Sequence, residues 1–274
     1  MMKRAIFALS VSVVLATASA QAGVIFEQDF SSSTNLGDYI ATPGTSTQFD
    51  GAGTTGGTAS IGITSGALQV DIAPNDPTPQ GYAGFVWEGG SSLDYMQMHM
   101  SLNVDTGGFS NANNEIQISL GAFASGIYDW NILSTGGDTA KAWVIMQGSS
   151  YLVKTGTLTT SLASGATAEI GFFVNCSGDS TTFLGDDGLI HTLGNNSKAL
   201  FVNGVLVADN IAVDKTSGVR GLRVNTNCRA NQNVDDGVFR FDNIEIRDDL
   251  VPEPATMGLL VIGAAAMLRK RRVA

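Results

Sequence analysis

Strict alternation of apolar and polar residues is the strongest structural signal in this 274-residue sequence. The clearest stretch has five apolar and four polar side chains in alternation: Met96, Met98, Met100, Leu102 and Val104 against Gln97, His99, Ser101 and Asn103. Residues 68–72 and 116–120 show the same period. Because successive side chains of a β-strand point to opposite faces, each stretch predicts an antiparallel strand with one face in the core and one in solvent.

Turn residues separate the predicted strands. Asn203-Gly204 lies between two β-rich arms, which is the strongest short-range signal for a hairpin, and Asp187-Gly188 marks a further turn. Glycine accounts for 33 residues, and we find no convincing helical pattern of about 12 residues between the two ends of the chain. The sequence therefore predicts one all-β domain over residues 23–250, a two-sheet antiparallel jelly-roll sandwich.

The last predicted strand, Val238–Arg247, changes phase halfway along. Phe239 and Phe241 share one phase, whereas Ile244 and Ile246 share the other. A β-bulge at Asp242-Asn243 would keep all four apolar side chains on the core side. The alternative is a strand that crosses from one sheet to the other.

The first 22 residues have the order of parts of a secretory signal peptide. Lys3 and Arg4 precede an apolar stretch, Ala5–Ala16, and small residues follow at 18–22. The apolar stretch is too short to span a membrane comfortably. We therefore expect a helical signal peptide over residues 1–22, cleaved after Ala22, and an exported protein.

The C-terminal segment, residues 251–274, combines a proline break, an apolar stretch and a cluster of cations. Its elements are Pro252, Glu253 and Pro254, then the apolar residues 257–268, then Arg269, Lys270, Arg271 and Arg272. This order resembles the PEP-CTERM sorting signal of Gram-negative bacteria. The resemblance implies recognition at Pro-Glu-Pro by an exosortase, a membrane protease-transpeptidase, with the cations kept cytoplasmic. The uncharged residues 255–268 are fewer than the ~20 of a full span, so we expect a short apolar helix that anchors the chain transiently in the inner membrane.

Charge narrows the possible partners. Residues 1–22 and 255–274 contain six of the 15 basic residues and no acidic residue, so the remainder has nine basic against 25 acidic residues, a net charge of −16. Such a surface repels phosphate backbones, which predicts that the protein binds no nucleic acid. It is compatible with cations, neutral glycans or simple solubility.

Three short segments resemble parts of concanavalin-A-like (laminin-G-like) jelly rolls. They are the opening VIFEQDF (Val24–Phe30), the closing FRFDNIEI (Phe239–Ile246) and the FVNG hairpin (Phe201–Gly204). The resemblance implies binding of glycan or protein, sometimes with calcium, and in some branches glycan hydrolysis. By the same resemblance, Glu27, Asp29 and Asp242 are the candidate calcium ligands, where the first and last strands pair. Asp186, Asp187, Asp235 and Asp236 are the other acid clusters, alternatively solvated turn residues.

Catalytic motifs are weak in this sequence. A glycosidase needs two carboxyl groups close together. The laminarinase-like pattern Glu-x-Asp-x-x-Glu is incomplete here, because Glu27-Gln28-Asp29 is followed by Ser32 at the third-carboxylate position. There is no Gly-x-Ser-x-Gly elbow, and the only two histidines, His99 and His191, lack a metal-ligand spacing. We therefore predict a protein that is not an enzyme.

Glycan binding requires exposed aromatic rings beside polar side chains. Trp130 is the best placed, with Tyr128 and Asp129 next to it in a loop-like sequence, although a buried tryptophan is the commoner case. Trp143 lies in an apolar strand and is expected in the core. Cys176 and Cys228 form either one disulfide or two free thiols.

Together these features predict an exported, non-catalytic surface or extracellular-matrix protein of a Gram-negative-type bacterium, with extracellular polysaccharide as a possible ligand. The alternatives are a secreted glycan-active hydrolase of the same fold and a purely structural biofilm component.

Overall fold

The structure is a computed structural model that describes residues 23–41, 43–55, 59–72, 82–107, 115–123, 137–216, 218–227 and 237–249. The predicted signal peptide and C-terminal helix lie outside these residues. The described strands are numbered in chain order: β1 Val24–Gln28, β2 Gly51–Thr55, β3 Ser60–Thr64, β4 Ala67–Ile72, β5 Tyr82–Leu93, β6 Tyr95–Asp105, β7 Glu115–Gly121, β8 Asp138–Gln147, β9 Ser150–Thr155, β10 Leu158–Ala163, β11 Thr167–Asn175, β12 Thr181–Leu184, β13 Ile190–Leu193, β14 Ser197–Val202, β15 Val205–Ala212, β16 Val219–Asn227 and β17 Gly237–Arg247.

Two large antiparallel sheets form a sandwich, which confirms the predicted all-β jelly-roll class. The eight-stranded sheet has the order β15-β14-β11-β6-β17-β4-β3, with β1 also paired to β17. The seven-stranded sheet has the order β10-β9-β8-β7-β16-β5-β2, and β12 pairs with β13 in a separate hairpin. The helical structure of the described ranges is limited to one 3-10 turn at Leu36–Tyr39, and no helix there is long and apolar enough to cross a membrane.

The core lies between the inward faces of the two sheets. The five alternating apolar residues of β6 are at most 1% exposed, as their period predicts. Aromatic rings from both sheets meet in this core, with centroid separations of 4.9 Å for Phe26–Phe49 and 5.1 Å for Phe85–Phe241. Burial of these apolar side chains is the main contribution that holds the sheets together.

The bulge predicted at Asp242-Asn243 is present. The pairing of β17 with β6 shifts register between Asp242 and Glu245, and Asn243 has a φ of 48°. The four apolar side chains of this strand, Phe239, Phe241, Ile244 and Ile246, are all fully buried. The extra residue therefore restores the inward phase, and the strand stays in one sheet.

The predicted hairpin at Asn203-Gly204 is also confirmed. Val202 pairs with Val205, and the two turn residues have φ values of 53° and 71°. Both angles are positive, as in a type I′ turn, and Asn followed by Gly is the pair that adopts this conformation at least cost.

One strand differs from its prediction. Gln117 and Ser119 of β7 face away from the core, yet each is only 1% exposed. The expectation of a solvated polar face was wrong for this strand: the Gln117 amide donates to Asp138 of β8 and to Ser119, and Ser119 lies between Lys141 of β8 and Arg223 of β16 in the sheet register.

Candidate functional site

The outer face of the seven-stranded sheet carries three rows of side chains across four adjacent strands. The register aligns β8, β7, β16 and β5, and the rows are Trp143–Gln117–Asn225–Gly84, Lys141–Ser119–Arg223–Val86 and Asp138–Gly121–Gly221–Glu88. Outward positions recur every second residue along each strand, so polar residues at this spacing come together on one face. We call these three rows the polar array.

Asp138 is the electrostatic centre of the polar array. Its side chain is fully buried and forms ion pairs with Arg223 (2.8 Å) and Lys141 (3.3 Å). The Gln117 side-chain amide donates to Asp138 at 3.2 Å and to the Ser119 hydroxyl at 2.6 Å. A buried carboxylate needs such compensation, since an isolated one would be strongly disfavoured.

Asn225, in the middle of the array, is buried without hydrogen-bond partners. It is 1% exposed, and both its Oδ1 and its Nδ2 lack a partner. Four other buried atoms of this face also lack a hydrogen-bond partner: Gln117 Oε1, Glu88 Oε1, Arg220 Nε and Arg223 Nε. In the part of the chain that the structure describes, these are all the buried side-chain nitrogen and oxygen atoms without a partner, and all belong to this face.

Aromatic rings border the array. Trp143 is half-buried at the end of one row, on the outer face, so its expected place in the core was wrong. The inward positions of β8 belong instead to small or flexible residues such as Ala142 and Met146, which fit the space between the sheets. Phe123 packs under the Arg223 guanidinium at 4.6 Å, a cation–π contact that orients this arginine.

Glu88 lies at the far end of the array from Asp138. Burial raises the pKa of its carboxyl group above the ordinary value of 4.5, and the negative charge of Asp50 adds to this, while Arg220 and Arg223 lower it. Its nearest cation is Arg220, 3.8 Å away. The array therefore holds a carboxylate that is only partly compensated within the protein.

A second buried charge, the Lys198 ammonium, lies next to β8. The Lys198 ammonium is 2.5 Å from the Asp214 carboxylate, and the same carboxylate accepts a hydrogen bond from the backbone of Lys141. Burial lowers the pKa of Lys198, although Asp214 opposes this effect. The contact ties β14 of one sheet to β8 of the other beside the array.

The outer face of the eight-stranded sheet is arranged differently. The β12–β13 hairpin covers part of it, and Phe173, Phe183, Leu193, Ala199 and Phe201 form a second apolar cluster there. Asp186 lies above Gly171 and pairs with His99 at 3.5 Å, and Asp187 pairs with His191 at 3.0 Å. Both histidines and both turn acids are thus used in holding the hairpin.

The candidate calcium residues are only partly brought together. β1 pairs with β17 as expected, and Glu27 faces Glu245. Asp29 accepts two hydrogen bonds from Ser31, which lower its pKa, while burial raises the pKa of Asp242, with Asp29 adding to the rise. No group of three or more His, Cys, Asp or Glu residues within the described ranges could hold a metal ion. We derive no role from calcium, and binding by these residues stays a prediction.

A polar cavity of about 460 Å³ lies beside β1. Its lining includes Glu27, Asp29, Asp38, Tyr39 and Gln48. Asp29 and Asp38 already accept hydrogen bonds from neighbouring serines, and the Tyr39 hydroxyl bonds to the backbone of Ser33. These polar groups are satisfied locally, in contrast to those of the polar array.

Several predicted site residues lie outside the described residues. They are the aromatic group Tyr128, Asp129 and Trp130, the sorting residues Pro252, Glu253, Pro254, Arg269, Lys270, Arg271 and Arg272, the acids Asp235 and Asp236, and Cys228. Cys176 is half-buried, and burial raises the pKa of its thiol to about 11. Its disulfide with Cys228 stays a prediction.

Sequence reasoning did not identify Gln117, Asp138, Arg223 or Asn225 as site residues. The alternation of β7 indicates that Gln117 and Ser119 share a face, and the same spacing holds for Arg223 and Asn225. No local signal shows that these pairs lie side by side, since Asp138 and Arg223 are 85 residues apart.

The described fold is similar to the folds of several solved structures. The carbohydrate recognition domain of Emp47p aligns with a TM-score of 0.50 and 11% identity, over 83% of this chain and 95% of that one. A sialidase aligns with a TM-score of 0.48 and 11% identity over 82% of this chain, which spans 18% of the sialidase. Griffonia simplicifolia lectin I-B4 aligns with a TM-score of 0.37 and 11% identity, over 72% and 92% of the two chains.

The C-terminal segment matches a sorting signal. Residues 250–272 match the PEP-CTERM protein-sorting motif, which confirms the sequence resemblance and indicates an exported protein with a surface or extracellular location. A comparison of the sequence with curated proteins gives no match. The chain therefore joins a jelly-roll sandwich, similar in fold to the Emp47p carbohydrate recognition domain, to a C-terminal PEP-CTERM motif.

Proposed function

We propose that this chain is an exported, non-catalytic carbohydrate-binding protein of the cell surface or extracellular matrix, with the polar array as its sugar-binding site. The observation that carries the proposal is Asn225, which is buried with both amide atoms unpartnered. A buried polar group without a partner costs about 1–3 kcal/mol, so a ligand that pairs with it recovers that free energy. The lectin-like fold and the half-buried Trp143 support a sugar as that ligand.

The proposal extends to Tyr128, Asp129 and Trp130. Aromatic rings beside polar side chains suit stacking on a sugar ring, which is why these three residues stay part of the proposal. Trp130→Ala should lower polysaccharide binding.

The proposal includes sorting of the exported protein through its C-terminal PEP-CTERM motif, residues 250–272. An exosortase-type membrane protease recognises Pro252, Glu253 and Pro254, and the four cations Arg269–Arg272 hold the tail on the cytoplasmic side of the inner membrane until processing. The processed protein then reaches the cell surface or matrix. Fusion of residues 251–274 to a secreted reporter should produce membrane retention followed by trimming.

Binding is tested by retention of the full chain on a panel of immobilised polysaccharides. Gln117→Leu should abolish retention, whereas Gln97→Leu should leave it unchanged, because Gln97 faces outward on β6 of the other sheet. Absence of retention on every polysaccharide would contradict binding and favour the structural biofilm component. Release of reducing ends that is lost in Glu27→Gln would instead favour the glycan hydrolase.

A further inference from the structure

Two strands, β15 and β3, lie at opposite ends of the eight-stranded sheet and differ in how their free edges are protected. β15 carries the charged Asp209, and its pairing with β14 shifts register twice. β3 has the sequence SIGIT, with no charge, no proline and no bulge in its pairing with β4. Within the described ranges, β3 pairs with β4 alone. An edge without these protections is a template for pairing with a strand of another chain.

The free edge of β3 presents the backbone groups of Ile61 and Ile63. A tight turn at Ser65-Gly66, with φ values of 53° and 77°, joins β3 to β4, so the residues on either side of this turn form a hydrogen-bonded pair. Hydrogen-bonded and non-hydrogen-bonded pairs alternate along an antiparallel ladder. Every second residue of β3, counted back from the turn, therefore bonds to β4, and the N–H and C=O groups of Ile61 and Ile63 point towards the free edge.

The sequence of β3 is nearly symmetric about Gly62. When a second copy of this strand runs antiparallel with Gly62 on a two-fold axis, Ile61 lies opposite the partner's Ile63, and Ser60 lies opposite the partner's Thr64. The backbone of Gly62 bonds to β4, so the two Gly62 residues form a non-hydrogen-bonded pair on the axis, and the isoleucines on either side exchange backbone hydrogen bonds between the copies. The symmetry of the sequence therefore coincides with the register in which the free backbone groups meet.

The side chains of this edge also fit an identical partner. Ile61 and Ile63 are partly buried against the main core, so pairing would continue the apolar layer from one copy into the next. Ser60 and Thr64 are exposed, and hydroxyl side chains directly opposite each other are a favourable cross-strand pair. The whole chain has a net charge of −10, so two copies repel each other, and a contact through an uncharged strand meets the least repulsion.

We infer that two copies of this chain associate through β3, which pairs antiparallel with β3 of the second copy and joins the two eight-stranded sheets into one continuous sheet. The interface is isologous, because the same strand contributes from both copies, and its two-fold axis passes through Gly62. A single short strand buries little surface, which predicts a reversible association in the roughly micromolar range. The proposed carbohydrate site lies on the other sheet, so loss of one does not entail loss of the other.

Sedimentation equilibrium of the full chain over about 1–100 μM measures the association, in a mild detergent that shields the apolar residues 257–268. Gly62→Glu should weaken dimerisation about tenfold or more, because two carboxylates then lie directly opposite each other on the axis. A Cβ at Gly62 meets no atom within 4 Å, so the single copy accommodates this side chain. The matched control is Gly90→Glu, since Gly90 is an exposed strand glycine with the same open surroundings, and it should dimerise like the unsubstituted chain.

A charge exchange at Gly62 tests the register. Gly62→Lys should dimerise as poorly as Gly62→Glu, and an equimolar mixture of the two variants should recover dimers, because opposite charges then meet on the axis. A mixture no more dimeric than its separate components would overturn the two-fold register. Dimers that persist in Gly62→Glu would overturn β3 as the interface. A chain that stays monomeric up to about 100 μM would overturn the second copy as partner and favour a strand of a different protein.

Discussion

Two buried asparagines, one on the outer face of each sheet, have opposite surroundings. Asn175 of β11 is fully buried, its Nδ2 donates to three backbone carbonyls, those of Asp179, Leu193 and Gly194, and its Oδ1 accepts from the Ser177 backbone. Asn225 of β16 is equally buried and makes none of these bonds. Equally buried amides therefore differ in this molecule: the Asn175 amide is fully bonded by the protein itself, whereas both amide atoms of Asn225 stay unpaired.

The same contrast holds for whole faces. The eight-stranded sheet receives a hairpin whose Phe183 stacks 4.6 Å from Phe173, and His99 and His191 pair with acids of its turn. The seven-stranded sheet has charged side chains that pair among themselves while six polar atoms stay unsatisfied. A stable protein retains such unsatisfied groups where function requires them, because each one costs stability.

The largest expected effect is a difference in the free energy of unfolding between substitutions of an aromatic residue on each face, Phe173 and Trp143. Phe173→Ala should lower the free energy of unfolding by about 3–5 kcal/mol, because it leaves a cavity between two other phenylalanines. Trp143→Ala should cost less than about 1.5 kcal/mol, because that ring is only half-buried, and should weaken polysaccharide retention. Urea unfolding measures both values, and equal costs would show that the two faces are packed alike.

The second largest expected effect is a difference in the free energy of unfolding between substitutions of Asn175 and of Asn225. Asn175→Leu should destabilise the protein by about 2–3 kcal/mol, since it leaves several buried backbone groups unpaired. Asn225→Leu should be neutral or stabilising by up to about 1 kcal/mol, since it removes two unsatisfied atoms and breaks no hydrogen bond. Loss of more than about 1 kcal/mol in Asn225→Leu would mean that this side chain is bonded after all.

The smallest effect is a difference in pH dependence. Burial raises the pKa of Glu88 in the folded state, so the folded state holds this proton more tightly than the unfolded one. The contribution of Glu88 to stability is therefore most favourable below its unfolded pKa and is lost as pH rises through the folded pKa. Between pH about 4 and about 7, Glu88→Gln should gain stability relative to the unsubstituted protein.

Asp187 on the other face should behave in the opposite way. The backbone N–H of Leu189 is the main cause that lowers the pKa of Asp187, and His191 adds to it. Its stabilisation is present above the unfolded pKa and is lost as pH falls through the folded pKa, so Asp187→Asn should lose stability relative to the unsubstituted protein as pH rises from about 2 to about 5. Thermal unfolding at several pH values measures the two slopes, and slopes of the same sign would remove this contrast between the faces.

Predictions from the sequence succeeded where the signal is local. The period of β6, the Asn203-Gly204 turn and the bulge at Asp242-Asn243 each depend on residues within a few positions of one another. Trp143 was misplaced because an apolar stretch, AWVIM, does not reveal which of its two phases faces the core. Gln117 was expected in solvent because alternation shows that a residue faces away from the core, and cannot show what covers it.

Local patterns in the chain were thus enough to predict the all-β class and the sorting motif at residues 250–272, since each is written in neighbouring residues. Only the folded molecule decided the candidate site. Its rows join residues from β5, β7, β8 and β16, and Asp138 meets Arg223 only after long-range strand pairing has fixed the register. Whether a buried amide is satisfied depends on atoms that distant strands bring to it, and the order of residues along one strand does not contain that information.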